Sequence, residues 1–142
     1  MAYGYVIGLD AGTTGCKAAL IDAEGTFISL AFMEYPVITG SDSKAEQDAM
    51  LVLSCCREVM KRAVRESGVK CVDAVSISVQ GDAVVPVDKD YNPVSACILG
   101  MDYRSSYLCD ELREKIDTKA IYRKTGMPLH PINSAMKILW LK

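Results

Sequence analysis

Residues 8–22 read GLDAGTTGCKAALID. An apolar run ends at Asp10, and five small residues follow it: Ala11, Gly12, Thr13, Thr14 and Gly15. Lys17 then precedes a second apolar run that closes at Asp22. Two extended segments joined through small, turn-forming residues predict a strand, a tight turn and a second strand. The turn carries chemistry as well as shape. Gly12 and Gly15 have no Cβ, so the backbone there can approach a ligand closely. Successive backbone N–H groups in such a turn can form an anion nest. Thr13 and Thr14 add hydroxyl donors, and Lys17 adds a cation. Asp10 would repel a phosphate unless a Mg²⁺ ion lay between them, directly or through water. A Mg·nucleotide phosphate site is therefore one reading. A tight hairpin with Asp10 serving the turn is the other, and turns favour the same residue types. The stretch is neither a Walker A loop nor a dinucleotide fingerprint, because GxxxxGK[ST] and GxGxxG are both missing and a strand follows the turn.

Working outward, residues 5–9 and 17–22 read as strands, and Ala23, Glu24 and Gly25 as the turn into a third at 26–35. The three make an antiparallel meander. Residues 36–44 are polar and read as a loop. Asp48 reads as a helix N-cap. Apolar residues at 49, 52, 53, 56, 59, 60, 63 and 64 then trace one face of a long amphipathic helix, and Gly68 is its stop. Residues 72–79 suit a central strand and 83–87 a short one, with a turn at 89–93 and extended character at 94–99. Residues 104–115 and 134–142 read as helices. Between them lies a loop carrying Thr125, Gly126, Met127, Pro128, His130 and Pro131. The order predicts a mixed α/β sheet, an antiparallel meander followed by α/β. The last helix is still running at Lys142, so the chain is expected to be a piece of a longer protein.

The 142 residues can bury one real core. Half of them are hydrophobic, and 16 basic residues against 18 acidic ones leave a net charge of −2. That balance holds no basic patch and argues against nucleic acid as a partner. No apolar run reaches the roughly 18 residues of a membrane span, and the N-terminus lacks a signal-peptide layout. The six cysteines form no CxxC pair, and His130 is the one histidine, which argues against a zinc site. Most of the cysteines fall inside apolar patterns. They are expected to be reduced core residues of a cytoplasmic protein.

Two further stretches could meet a ligand. In SISVQGDAV, residues 76–84, an apolar strand ends in Gln80, Gly81 and Asp82, and the ends of central strands collect ligand groups in α/β sheets. In ILGMDYR, residues 98–104, Asp102 and Arg104 could bond a polyol or pair with each other on the surface. Taken singly, each stretch suits a plain turn or a surface pair better. His130 reads as a loop residue.

Together and in this order, these segments resemble the N-terminal part of the FGGY carbohydrate kinases. The stretches that carry the likeness are IGLDAGTTGCKAALID, Glu46 with Gln47 and Asp48, SISVQGDAVVPVD, ILGMDYRS, and IYRKTGMPLHP with KILWLK, and they span nearly the whole chain. The resemblance implies a ribonuclease H-like, actin-like ATPase fold, of which residues 1–142 would be the N-terminal, sugar-binding portion. The ATP-binding domain and the family's aspartate base would lie past Lys142, so these residues alone are expected to be inactive. It implies ATP- and Mg²⁺-dependent phosphorylation of a sugar or polyol hydroxyl. By position Asp10, Gly12, Thr13, Thr14 and Lys17 would handle phosphate, with Asp10 toward Mg²⁺. Gln80, Gly81, Asp82, Asp102 and Arg104 would line the sugar pocket.

Departures from the family pattern bear on the substrate. The family's Ser-Gly-Gln is Ser78, Val79 and Gln80 here, and its tryptophan before Asp-x-Arg is Gly100, which is expected to leave the sugar site more open. Glycerol-specific relatives carry Arg-Glu where this chain has Gly81 and Asp82, and xylulose kinases carry Met-His. A ketopentose such as xylulose is the first expectation and gluconate the second. An ATP- or sugar-binding module of the actin-like superfamily without catalysis is the alternative of another class. An open helix end and an unfinished sheet would leave apolar surface bare, so association into a homodimer is also expected.

Overall fold

A computed structural model describes residues 4–142. Along the chain run β1 (Tyr5–Ala11), β2 (Gly15–Asp22), β3 (Phe27–Glu34), β4 (Ile38–Thr39) and β5 (Ala45–Gln47). They are followed by α1 (Ala49–Ser67), β6 (Ala74–Val79), β7 (Cys97–Ile98), α2 (Ser106–Arg113), α3 (Thr118–Thr125) and α4 (Ser134–Leu141). These elements divide into two compact units. One holds the described residues up to Val37 together with Asp48–Gln80, and the other holds Ile38–Gln47 with Gly81–Lys142.

The first unit is a four-stranded sheet in the order β3-β2-β1-β6. β1, β2 and β3 form the expected meander, while β6 runs parallel to β1. A parallel neighbour needs a crossover, and α1 lies in the connection. Its N-cap is Asp48, whose carboxylate accepts from Met50 N and Leu51 N. It stops at Gly68, where φ is +73° and a left-handed residue closes the helix without a Cβ penalty. Alternate residues of the strands face α1. Ile7, Leu9, Ala18 and Leu20 meet Cys55, Cys56, Val59 and Ala63 in one core. Five cysteines, 16, 55, 56, 97 and 109, are buried free thiols as expected, while Cys71 is free and exposed. Residues 72–79 were expected as a central strand. Instead β6 ends the described sheet, and Val75, Ile77 and Val79 are all exposed.

The second unit is built on a small antiparallel sheet, β4-β5-β7. It corrects several expectations. The polar stretch 36–44 contains β4, which pairs Ile38 with Glu46. Residues 83–87 form no strand, only the isolated bridges Val84 to Ile98 and Val87 to Pro93. Strand character within 94–99 is confined to Cys97 and Ile98. The expected helix over 104–115 begins only at Ser106 and ends at Arg113; Arg104 precedes it, its backbone N–H donating to the Asp102 carboxylate. The segment 116–133, expected as a loop, contains α3. Asp117 caps it by accepting from Lys119 N and Ala120 N, and Gly126 ends it at φ +72°. Those two residues are standard start and stop signals. The apolar pattern between them is too short to stand out.

Candidate functional site

In the first unit the 12–14 turn is clamped from several sides. Gly12 N donates to Gly15 O at 3.0 Å, and Tyr35 N donates to Thr14 O at 3.3 Å. The Tyr35 hydroxyl donates to Gly12 O at 2.8 Å. Tyr35 is 5% exposed, and burial first, with the neighbouring thiols second, pushes its phenol well above the ordinary value. It therefore stays a neutral donor. The end of β6 joins the turn as well: Gln80 N donates to Ala11 O at 3.0 Å, and Thr13 Oγ1 donates to Gln80 Oε1 at 3.2 Å. Gln80 thus lies with the candidate phosphate turn of its own unit.

Asp10 sits opposite Lys17 in β2 and opposite Ser78 in β6, so the three share one face of the sheet. Asp10, Thr14 and Lys17 are exposed. The Lys17 ammonium lies 5.8 Å from the centre of the Phe32 ring, a cation–π contact. The two glycines differ. A Cβ at Gly15 would meet Met33 O at 2.5 Å and Phe32 Cε2 at 2.9 Å, so strand packing demands this glycine. At Gly12 the nearest atom would be Gly15 O at 3.3 Å. Freedom to approach a ligand thus belongs to Gly12 more than to Gly15.

A Mg²⁺ ion fits this face. Among the described residues no group of three His, Cys, Asp or Glu gathers, so no protein cage exists there. Mg²⁺ is ordinarily held by one or two carboxylates, with phosphate and water oxygens supplying the rest. An exposed Asp10 beside a turn of donors offers that set.

In the second unit, Asp102 and Arg104 form the paired arrangement, and it is buried. Asp102 is 1% exposed. Its carboxylate accepts from Ala45 N at 2.8 Å, from Arg104 N at 3.0 Å and from Arg104 Nε and Nη2 at 2.9 and 2.6 Å. Arg104 Nη2 also reaches Glu46 Oε1 at 2.7 Å, and Lys44 Nζ reaches Glu46 Oε2 at 2.9 Å. The Trp140 ring lies 4.9 Å from the guanidinium. Burial raises the Asp102 carboxyl, but Arg104 and the Ala45 N–H outweigh it and hold it below the ordinary carboxylate value. Glu46 is lowered in the same way: burial raises it, and Lys44 and Arg104 overcome that.

Asp82 sits at φ +58°, a conformation uncommon for a residue with a side chain. Its Oδ1 accepts from Ser134 N and Oγ, both at 3.4 Å. Around the Cα of Gly100 the neighbours stand at contact distance. A Cβ there would meet Gly81 O at 3.3 Å, Ile132 Cγ1 at 3.8 Å and Asp82 Cβ at 3.9 Å. The missing side chain lets the turn at Gly81 and Asp82 lie close instead. His130 is half-buried, its Nδ1 accepts from Ile132 N, and its ring meets Tyr103 edge-on at 5.5 Å.

Sequence reading missed Tyr35, Glu46 as an ion-pair partner, and Lys137. Tyr35 was legible in phase, since residues 29, 31, 33 and 35 share the face that α1 covers. Glu46 could be joined to Arg104 only by folding, because 58 residues separate them.

Residues 5–142 match the N-terminal domain of the FGGY family of carbohydrate kinases. The chain belongs to that family. It is 28% identical to a gluconokinase from Bacillus subtilis over 137 residues, 96% of this chain. It is 32% identical to glycerol kinase 2 of Thermotoga maritima over 140 residues, again 96% of it. Its structure is similar to a ligand-bound xylulose kinase from Lactobacillus acidophilus, with a TM-score of 0.89 and 29% identity over 97% of this chain. The chain spans 27% of the Bacillus protein and 28% of each of the other two. The fold is accordingly the actin-like ATPase fold of the FGGY kinases, seen in its N-terminal portion.

Proposed function

We propose that residues 1–142 are the sugar-binding portion of a cytoplasmic, ATP- and Mg²⁺-dependent kinase that phosphorylates a ketopentose such as xylulose. The observation that carries this reading is the clamped 12–14 turn with Asp10 and Lys17 exposed on the adjoining sheet face. Phosphoryl transfer asks a protein mainly for positioning and for charge placed beside the phosphates. Gly12, Thr13 and Thr14 would meet phosphate oxygens, with Lys17 adding charge near them. Asp10 would orient a Mg²⁺ ion, which supplies neutralisation of phosphate charge when bound. Gly81 and Asp82 would face the sugar, whereas Gln80, expected there too, is held on Thr13 of the phosphate turn. Asp102 and Arg104, whose charges are spent on each other and on Glu46, would shape that pocket from behind. The general base would be an aspartate beyond Lys142, and neither Asp82 nor Asp102 takes its role. The cytoplasmic reading is supported by six cysteines that stand as free thiols.

Gluconate is the second reading, favoured by the likeness to the Bacillus gluconokinase. Asp82 weighs against it, since an acidic side chain at the sugar position repels a substrate carboxylate. The test is ADP formation by the product of the complete reading frame with D-xylulose, D-gluconate and glycerol. Asp82→Ala is expected to raise KM for the preferred sugar about tenfold while kcat changes little. Activity on none of the three, or an unmoved KM, overturns the assignment. A second variant probes the other end of the site. Tyr35→Phe removes the clamp on Gly12 O, worth ~1 kcal/mol, and is expected to raise KM for ATP about fivefold with the sugar KM unchanged, read in the same assay.

A further inference from the structure

Lys137 stands in the first turn of α4 and is 1% exposed. Two physical effects oppose a cation there. The N-terminal end of a helix carries partial positive charge, and a buried ammonium loses its hydration. Specific partners offset both. Lys137 Nζ donates to Pro131 O at 3.2 Å and to Ile132 O. Both carbonyls belong to the segment that leads into α4 and carries Ser134, the residue that bonds Asp82. Ile132 Cγ1 and Asp82 Cβ both stand beside Gly100, at 3.8 and 3.9 Å from where its Cβ would lie. The charged groups whose fields reach the ammonium are Asp82 and Asp102. Burial pulls the Lys137 amine below its ordinary value, and those two carboxylates push it back up.

From this arrangement we infer that Lys137 is the positioning residue of the sugar site: through the carbonyls of Pro131 and Ile132 it fastens the segment whose Ser134 holds Asp82 where substrate hydroxyls would meet it. The inference rests on the reading that Asp82 meets the sugar. It also narrows the substrate class. A buried cation already committed to two carbonyls and to the field of Asp82 is spent, so the pocket presents an acceptor and suits a neutral polyol or ketose over an aldonate. A lysine that only anchored the backbone would behave otherwise: its replacement would cost stability without moving the sugar KM apart from the ATP KM.

Two measurements test this. In the 142-residue chain, the Lys137 ammonium is followed by ¹⁵N NMR as pH rises, in the wild type and in Asp82→Asn. Loss of the countercharge is expected to move the Lys137 titration to lower pH; an unmoved titration overturns the coupling and leaves the sugar assignment of Asp82 standing. In the complete kinase, Lys137→Met is expected to raise KM for the sugar about tenfold with KM for ATP unchanged, and Lys137→Arg to restore part of it. A variant that folds and shows no change in sugar KM, or equal losses for both substrates, overturns the positioning role. Should Lys137→Met fail to fold, the Asp82→Asn titration still decides. A sugar KM unmoved by Asp82→Ala overturns the assignment of Asp82 itself, and this inference with it.

Discussion

Asp10→Ala in the complete kinase lowers turnover by about 10²-fold or more, the scale seen when one preorganised electrostatic group is removed from a reaction centre. Asp10 lies on the sheet face beside the 12–14 turn, directly across from Lys17, with Glu34 on the same face two strands away, opposite Gly15. On the proposed reading, its loss removes the carboxylate nearest the turn that would hold a Mg²⁺ ion and leaves Lys17 without its cross-strand partner. Its side chain is exposed and no described core packing depends on it, so the fold is expected to survive with stability changed by less than about 0.5 kcal/mol. The measurement is steady-state ADP formation at saturating sugar with Mg²⁺ varied, alongside a thermal melt. Wild-type turnover in a folded Asp10→Ala protein would show that the turn is a hairpin and not a phosphate site.

Asp102→Ala has the opposite signature. It is expected to destabilise the fold by about 3–5 kcal/mol, because deleting one member of a buried pair leaves the other charge uncompensated. Arg104 would keep Glu46 but lose the contacts that hold it to Asp102, and Ala45 N would lose its acceptor. Urea unfolding of the 142-residue chain reads the loss directly. The pH dependence follows from the directions of the shifts. Asp102 and Glu46 are both held below their ordinary values in the folded chain. Each therefore contributes stability that is full above the ordinary carboxylate range and is lost as pH falls through the lowered folded value. The wild type should lose stability on acidification more steeply than Asp102→Ala. Parallel pH profiles for the two proteins would mean that the network carries no linked protons.

Much of this was legible in order and type of residue. The meander was readable because each strand has its own apolar run and the turns between them hold Gly12, Gly15 and Gly25. The long helix was readable because Asp48 and Gly68 are local signals, each acting within a few residues of the helix end they close. The small sheet was not readable in the same way. β4, β5 and β7 have two, three and two residues, too few to show a period. β4 pairs locally with β5, but β7 is a strand through Ile98 and Cys97 pairing with Glu46 and Gln47 of β5, about fifty residues away.

The candidate site divides along the same line. The sequence by itself determined the 12–14 turn, its acid, its hydroxyls and its lysine, since all lie within one hairpin and local register brings them together. It also determined that Asp102 and Arg104 stand close, two residues apart. Tertiary structure alone decided their fate. Burial among Ala45, Glu46 and Trp140 turns a surface pair into an interior network, because a desolvated carboxylate must find donors or lose its charge. Tertiary structure alone also set Tyr35 on the carbonyl of Gly12 and brought Gly81 and Ile132 to contact distance beside Gly100. It buried the ammonium of Lys137 where the field of Asp82 reaches it. Contacts of this kind depend on where distant segments come to rest, and one-dimensional pattern does not carry that distance.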